Sequence, residues 1–220
     1  MIISDEKAFI FVHNYKVAGS SVKDALQPYA TPSKSASSWR AFLDRQLVRV
    51  GLKGEPSYPD PHMQAMEIRE AFPEEWFEYF TFAFVRNPWA WQVSLYFYMK
   101  QEPKHFQHEM IQSMDGFDEY IEWRVQEDKR LQSDNLCDDE GNLLVDYVGR
   151  LETIREDFGA ICDILNLNAS LPHRNRSSHR DYREYYTDQT RSLVAEHFQE
   201  DIERFGYEFD EIGEPTPIAT

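Results

Sequence analysis

The sequence predicts an α/β fold in which a central parallel sheet is flanked by helices. Two short apolar runs that do not alternate, Lys7–Val12 and Thr81–Val85, have the pattern of strands buried on both faces. Each passes through a short loop into a helical stretch, and a third run, Leu143–Val148, follows further along the chain. Strand, loop and helix repeated in this order imply right-handed crossovers between parallel strands, and the ligands of such sheets sit beyond the carboxyl ends of the strands. With 220 residues the chain is sized for one domain over 1–220.

Taken in order, Val22–Leu26 is helical until Pro28, and Ser37 or Ser38 caps a helix whose apolar positions Trp39, Phe42, Leu43, Leu47 and Val50 end near Gly51. Three prolines make Gly54–Pro61 a loop. Met63–Phe72 is helical, and Pro73 with Glu74 and Glu75 opens a further helix through Phe80. Arg86-Asn87-Pro88 ends the second strand, and Trp89–Lys100 is the helix beside it. Helices at His105–Met114 and Phe117–Gln126 lead to a turn at Asp138–Asn142. Helices over Glu152–Leu165 and Asp188–Phe205, the latter stopped by Gly206, bracket a polar loop at His173–Tyr186.

Composition removes several functions. At 41% hydrophobic and 15% aromatic the chain is too rich in core-forming residues to be disordered. A net charge of −16 repels phosphate backbones and anionic head groups, so neither nucleic acid nor a membrane surface is expected as a partner. Two cysteines, Cys137 and Cys162, build no disulfide framework, no apolar run approaches the roughly 20 residues of a membrane span, and the start is acidic at Asp5-Glu6. A soluble, cytoplasmic protein is expected.

The loops after the first two strands carry the chemistry. Gly19, Ser20 and Ser21 at a helix start offer free backbone N–H groups, a positive dipole end and hydroxyl donors to an anion, and Lys16 adds a point charge. On these residues alone an ordinary capped helix fits equally well. In the Walker A pattern the lysine follows glycine and directly precedes the magnesium-binding hydroxyl, whereas here Lys16 comes first and Val17 follows it, which disfavours a magnesium–triphosphate site. Arg86, at the second strand's end, is shaped for a bidentate phosphate contact, with Ser94 two helical turns on; a surface ion pair is its alternative.

Together these residues resemble a family, the sulfotransferases that use 3′-phosphoadenosine 5′-phosphosulfate (PAPS), particularly the carbohydrate-sulfotransferase branch and its bacterial relatives. Phe9–Ser21 (FIFVHNYKVAGSS) is similar to the family's 5′-phosphosulfate loop, h-H-x-P-K-T-A-G-T-S, and Phe84–Trp89 (FVRNPW) with Ser94-Leu95-Tyr96 is similar to its 3′-phosphate motif. Val145–Glu152 and Asp201–Phe209 are similar to later blocks.

The resemblance implies the P-loop-kinase-like sulfotransferase fold and transfer of the sulfonate of PAPS to an acceptor hydroxyl, on a carbohydrate or small-molecule alcohol, with release of adenosine 3′,5′-bisphosphate (PAP). It implies Lys16 at the sulfonate and bridging oxygen, Val17, Ala18, Gly19, Ser20 and Ser21 around the 5′-phosphate, and Arg86 and Ser94 on the 3′-phosphate. Arg176 and Ser177, in a segment resembling a C-terminal cofactor contact, close over the nucleotide. His62, resembling the first residue of the family's H-x-x-A-x-E-I-R segment, is the expected base, with Glu67 as a weaker candidate. Tyr15 and Val17 depart from the usual proline and threonine, and Trp91 from a frequent arginine. No metal is expected: His105 and His108 have metal-compatible spacing without a third ligand, and Leu143–Asp146 is read as a strand end. A nucleotide-dependent kinase on a related fold and a non-catalytic nucleotide-binding module are the alternatives; the oligomeric state is not legible.

Overall fold

Strand β1 (Ile2–Ser4) runs antiparallel to β2 (Phe9–Val12), and parallel strands β3 (Phe80–Val85) and β4 (Tyr147–Arg150) complete a sheet of order β1-β2-β3-β4. The computed structural model describes residues 1–34, 63–128, 130–172 and 180–210. The helix expected over 37–51, the loop at 54–61 and residues 173–179 of the polar loop lie outside them.

The register explains the unalternating strands. In β2 and β3, Phe9, Phe11, Phe82 and Phe84 point to one face, where they pack with Val22, Leu26, Phe158 and Ile161. Ile10, Val12, Ala83 and Val85 point to the other, against Ile68, Trp76 and Phe205. Both faces are covered, so both sets are apolar.

Helix α1 (Gly19–Leu26) follows β2, then α2 (Ala65–Ala71) and α3 (Pro73–Glu78) lead into β3. After β3 come α4 (Pro88–Gln101), α5 (His108–Ser113) and α6 (Phe117–Glu127); after β4 come α7 (Ile154–Leu165), α8 (Asp188–His197) and α9 (Gln199–Phe205). Helix α4 is buried nearly all round, and Trp89, Trp91, Tyr96, Phe117, Tyr120 and Phe198 form an aromatic core between it, α6 and α8.

The expected central parallel sheet is present as β2-β3-β4, and the three-residue antiparallel β1 at its edge makes the whole sheet mixed. Three expectations of element bounds are corrected. The third strand is Tyr147–Arg150 instead of Leu143–Val148: Leu143 bridges Cys137 and the Leu144 N–H donates to the Leu136 carbonyl, so the run pairs first with the segment before it and joins β3 only from Asp146, whose N–H donates to the Thr81 carbonyl at 3.0 Å. The helix expected over Asp188–Phe205 breaks at Phe198, a fully buried ring with φ −101° and ψ 22°. The helix expected from His105 starts at His108, after successive turns closed by the Glu102 and His105 carbonyls. Gly206 ends α9 as expected, at φ 64°.

Candidate functional site

Because β2 and β3 are adjacent and parallel, their carboxyl ends place the two expected loops side by side. The first loop bends through two left-handed residues that are not glycine, Lys16 at φ 61° and Ala18 at φ 57°, a cost of roughly 1–3 kcal/mol each that needs anchoring nearby. Several anchors are present. The Val17 side chain is fully buried in the cluster that holds Phe9, Phe11 and Leu26. Asn14, also buried, donates from Nδ2 to the Phe84 and Gln132 carbonyls and accepts at Oδ1 from Asn135 at 2.6 Å. The indole N–H of Trp91 donates to the Tyr15 carbonyl at 2.8 Å. Trp91, a departure from the family pattern, thus stitches α4 to the loop.

Helix α1 begins at Gly19 with no side-chain cap and no acidic residue in its first turn. The Ala18 carbonyl takes the N–H groups of Ser21 and Val22, leaving those of Gly19 and Ser20 as the amides for which the helix supplies no acceptor. Gly19 is required by close approach: a Cβ there would lie 1.7 Å from Nε2 of His13. Gly19→Ala therefore has to displace the His13 ring or the loop, and we expect it to lower the melting temperature, with a cost of about 1–3 kcal/mol, and to weaken binding of a bisphosphate nucleotide at least tenfold. Unchanged melting and affinity by differential scanning fluorimetry and calorimetry would refute that account.

Lys16 reaches over the Tyr98 ring, with Nζ 4.2 Å from its centroid. Burial holds its pKa below the usual lysine value, and the neighbouring Arg86 charge lowers it further. Arg86 is partly buried, and its Nε is enclosed with no hydrogen-bond partner among the described residues. Burial lowers its pKa too, opposed by Glu152 and Tyr207. Two cations thus sit within each other's field, compensated in part by Glu152 behind Arg86, and among the described residues the enclosed Nε meets no acceptor, so an entering anion is favoured there.

Behind Arg86 stands Glu152. Its Oε1 accepts from the Asn87 N–H at 2.9 Å and its Oε2 from the Tyr207 hydroxyl at 3.1 Å, while burial raises its pKa against those contacts. Asn87 in turn caps α4 by accepting from the Trp89 and Ala90 N–H groups. Ser94 is buried on α4, and Trp91, Ser94 and Tyr98 recur at i, i+3 and i+7. Trp91 and Tyr98 both touch the first loop, so that stripe of α4 faces it and Ser94 lies between them.

The structure therefore brings together Lys16, Val17–Ser21, Arg86 and Ser94. The expected His62, Arg176 and Ser177 lie outside the described residues. Glu67 is committed to a capping box, accepting from the Gln64 N–H at 2.7 Å. Among the described residues no group of three or more potential ligands is placed to hold a metal, and no helix is long and apolar enough to cross a membrane. His105 Nδ1 accepts from the Gln107 N–H and His108 Nδ1 lies 2.9 Å from the Met99 carbonyl. The two cysteine thiols are pushed up by burial, away from thiolate chemistry.

Sequence reading missed Tyr98, Glu152 and Gln132 as parts of this site. Tyr98 was legible as the residue one turn after Ser94 on the same stripe, and Glu152 as the last residue of the Val145–Glu152 block; Gln132 carries no local signal. An open surface cavity is lined by Tyr98, Glu102, Lys104, His105 and Phe106.

The model of the sulfotransferase family matches residues 1–208 of the chain. No curated protein matches it. Among solved structures, the crystal structure of mouse sulfotransferase SULT7A1 complexed with PAP is similar at 13% identity with a TM-score of 0.54, over 91% of this chain and 86% of that one. At that identity the likeness establishes the fold.

Proposed function

The chain belongs to the sulfotransferase family, and on that premise we propose that it moves the sulfonate of PAPS to an acceptor hydroxyl, on a carbohydrate or small-molecule alcohol, and releases PAP. The observation that carries this reading is the pair of cations Lys16 and Arg86 at adjacent strand ends, one beside an uncapped helix start and the other with an enclosed Nε that has no hydrogen-bond partner among the described residues. Two anion positions on neighbouring loops suit a ligand with two phosphates, and the mouse enzyme of the same fold is complexed with PAP.

When bound, PAPS supplies a sulfonate on a phosphate oxygen that must accept charge as it leaves. The Lys16 ammonium and the amides of Gly19 and Ser20 offer fixed positive charge to that oxygen and the 5′-phosphate, in a setting where such groups do not reorganise during reaction. Arg86 presents a planar fork to the 3′-phosphate, with the Ser94 hydroxyl beside it. The residue directly after the lysine, Val17, carries no hydroxyl to bind magnesium in the manner of an ATP site. His62 as the base that takes the acceptor's proton, and Arg176 with Ser177 as a closure over the nucleotide, rest on the resemblance alone. One sulfotransferase domain over 1–220 and a cytoplasmic setting complete the proposal.

Thermal unfolding with saturating PAP, ADP, or ATP with magnesium tests it. A ligand at about 100 times its Kd stabilises by roughly 2.7 kcal/mol, which moves a domain of this size by about 5–10 °C. We expect that shift with PAP and little with ATP–magnesium. The reverse order would make the protein a kinase on a related fold; a PAP shift without turnover of PAPS on a broad acceptor panel would make it a binding module.

A further inference from the structure

Strand β3 ends at Val85, and the next residue, Arg86, continues without a strand partner of its own. A buried main chain there needs partners for its N–H and C=O. One side chain supplies both. Gln132, 1% exposed and just after α6 in the sequence, accepts the Arg86 N–H at its Oε1 (2.8 Å) and donates from its Nε2 to the Arg86 carbonyl (2.7 Å). The primary amide thereby stands in for a missing strand.

Gln132 is itself held from two directions. The fully buried Asp201 of α9 accepts its N–H at 2.8 Å and that of Ser133 at 2.9 Å, one on each carboxylate oxygen. Its carbonyl accepts from Nδ2 of Asn14, two residues before Lys16. A single residue therefore bonds directly to the main chain that carries Arg86 and to the loop that carries Lys16, with α9 as its support. The span between two phosphates of a ligand is fixed by its covalent structure, so the loops that receive them gain affinity from being held at a matching separation before the ligand arrives.

We propose that Gln132 is a positioning residue that sets the spacing and aim of the two anion-binding loops, with Asp201 as its brace. This rests on the bisphosphate reading above for its consequence and on geometry alone for its mechanism, so the two are tested separately. Amide hydrogen exchange reads the mechanism without ligand: in Gln132→Met, which keeps the length but removes both hydrogen bonds, the peptide spanning residues 84–88 is expected to exchange at least tenfold faster, while the peptide spanning residues 9–12 of β2 is unchanged. PAP affinity by calorimetry reads the consequence, with at least a tenfold loss in Gln132→Met and a smaller one in Gln132→Glu, which keeps the acceptor for the Arg86 N–H.

A double-mutant cycle separates positioning from general damage. If Gln132 acts through Arg86, Gln132→Met costs under twofold in PAP affinity once Arg86 is alanine. Equal losses in both backgrounds, or unchanged exchange at residues 84–88, would overturn the proposal. Should Gln132→Met fail to fold, the same exchange and cycle are read on Gln132→Glu, where unchanged exchange and affinity are again the overturning result. A parent protein that does not bind PAP would remove the bisphosphate reading, and the exchange result would still decide the clamp.

Discussion

Lys16→Met folds as the parent does and loses on the order of 10²–10³-fold in turnover, the usual effect of removing one preorganised donor from a centre of developing charge. Methionine keeps the stem that lies against Tyr98 and deletes only the ammonium. The free protein is not expected to suffer, because both resolved influences on the Lys16 charge, burial and the nearby Arg86, oppose it. Its contact with the Tyr98 ring contributes only about 0.5–1 kcal/mol in the other direction. Steady-state kinetics on PAPS, read beside the melting temperature of the free variant, separate the effects. Turnover within threefold of the parent would remove Lys16 from the reaction.

The same residue sets a pH dependence whose sign follows from its lowered pKa. The charged form is penalised in the fold, so the penalty is fully present below the folded pKa and is relieved as pH rises from there to the unfolded value near 10.5. On that alkaline side the free protein gains stability from this group while an anionic ligand loses affinity, since the ligand favours the protonated lysine. Calorimetric PAP titrations at increasing alkaline pH should show the parent's affinity falling, and Lys16→Met should lack that component.

How far the sequence could be read follows from where the information lies. The strands at 9–12 and 80–85 were legible because burial on both faces leaves an unbroken apolar run, and the loops because Gly19, Lys16 and Arg86 sit directly beyond them. β1 was not, since a strand of three residues has no period to detect, and β4 starts later than its apolar run because Leu143 and Leu144 pair with Cys137 and Leu136 instead of with β3. Phe198 interrupts a helical pattern without any breaker residue because tertiary packing of its ring decides the backbone there. In the site, charged residues at strand ends announced themselves. The groups that hold them did not: Gln132 is separated from Arg86 by 46 positions and Glu152 from Asn87 by 65, and no local spacing encodes such pairs.

Arg86→Ala is expected to weaken PAP binding by on the order of 10²–10³-fold, about 2.7–4 kcal/mol, while turnover at saturating donor falls far less. An enclosed Nε with no acceptor among the described residues leaves a donor on this guanidinium that a phosphate oxygen can take. Arg86→Lys should not restore affinity, because a point charge cannot replace a planar fork. The variant also exposes the role of Glu152, whose raised pKa means that its contribution to stability is complete at acid pH and lost as pH climbs from the ordinary 4.5 through the folded value. Without the Arg86 charge that folded value moves higher still, so Arg86→Ala should be less stable than the parent at neutral pH and recover on acidification. Adding Glu152→Gln should return stability at neutral pH, because the amide oxygen still accepts the Asn87 N–H and the amide NH2 can donate to the Tyr207 hydroxyl, and should return none of the PAP affinity. If instead the single variant binds PAP within threefold of the parent and only its stability changes, Arg86 is an internal ion-pair partner of Glu152, and the second anion position does not exist.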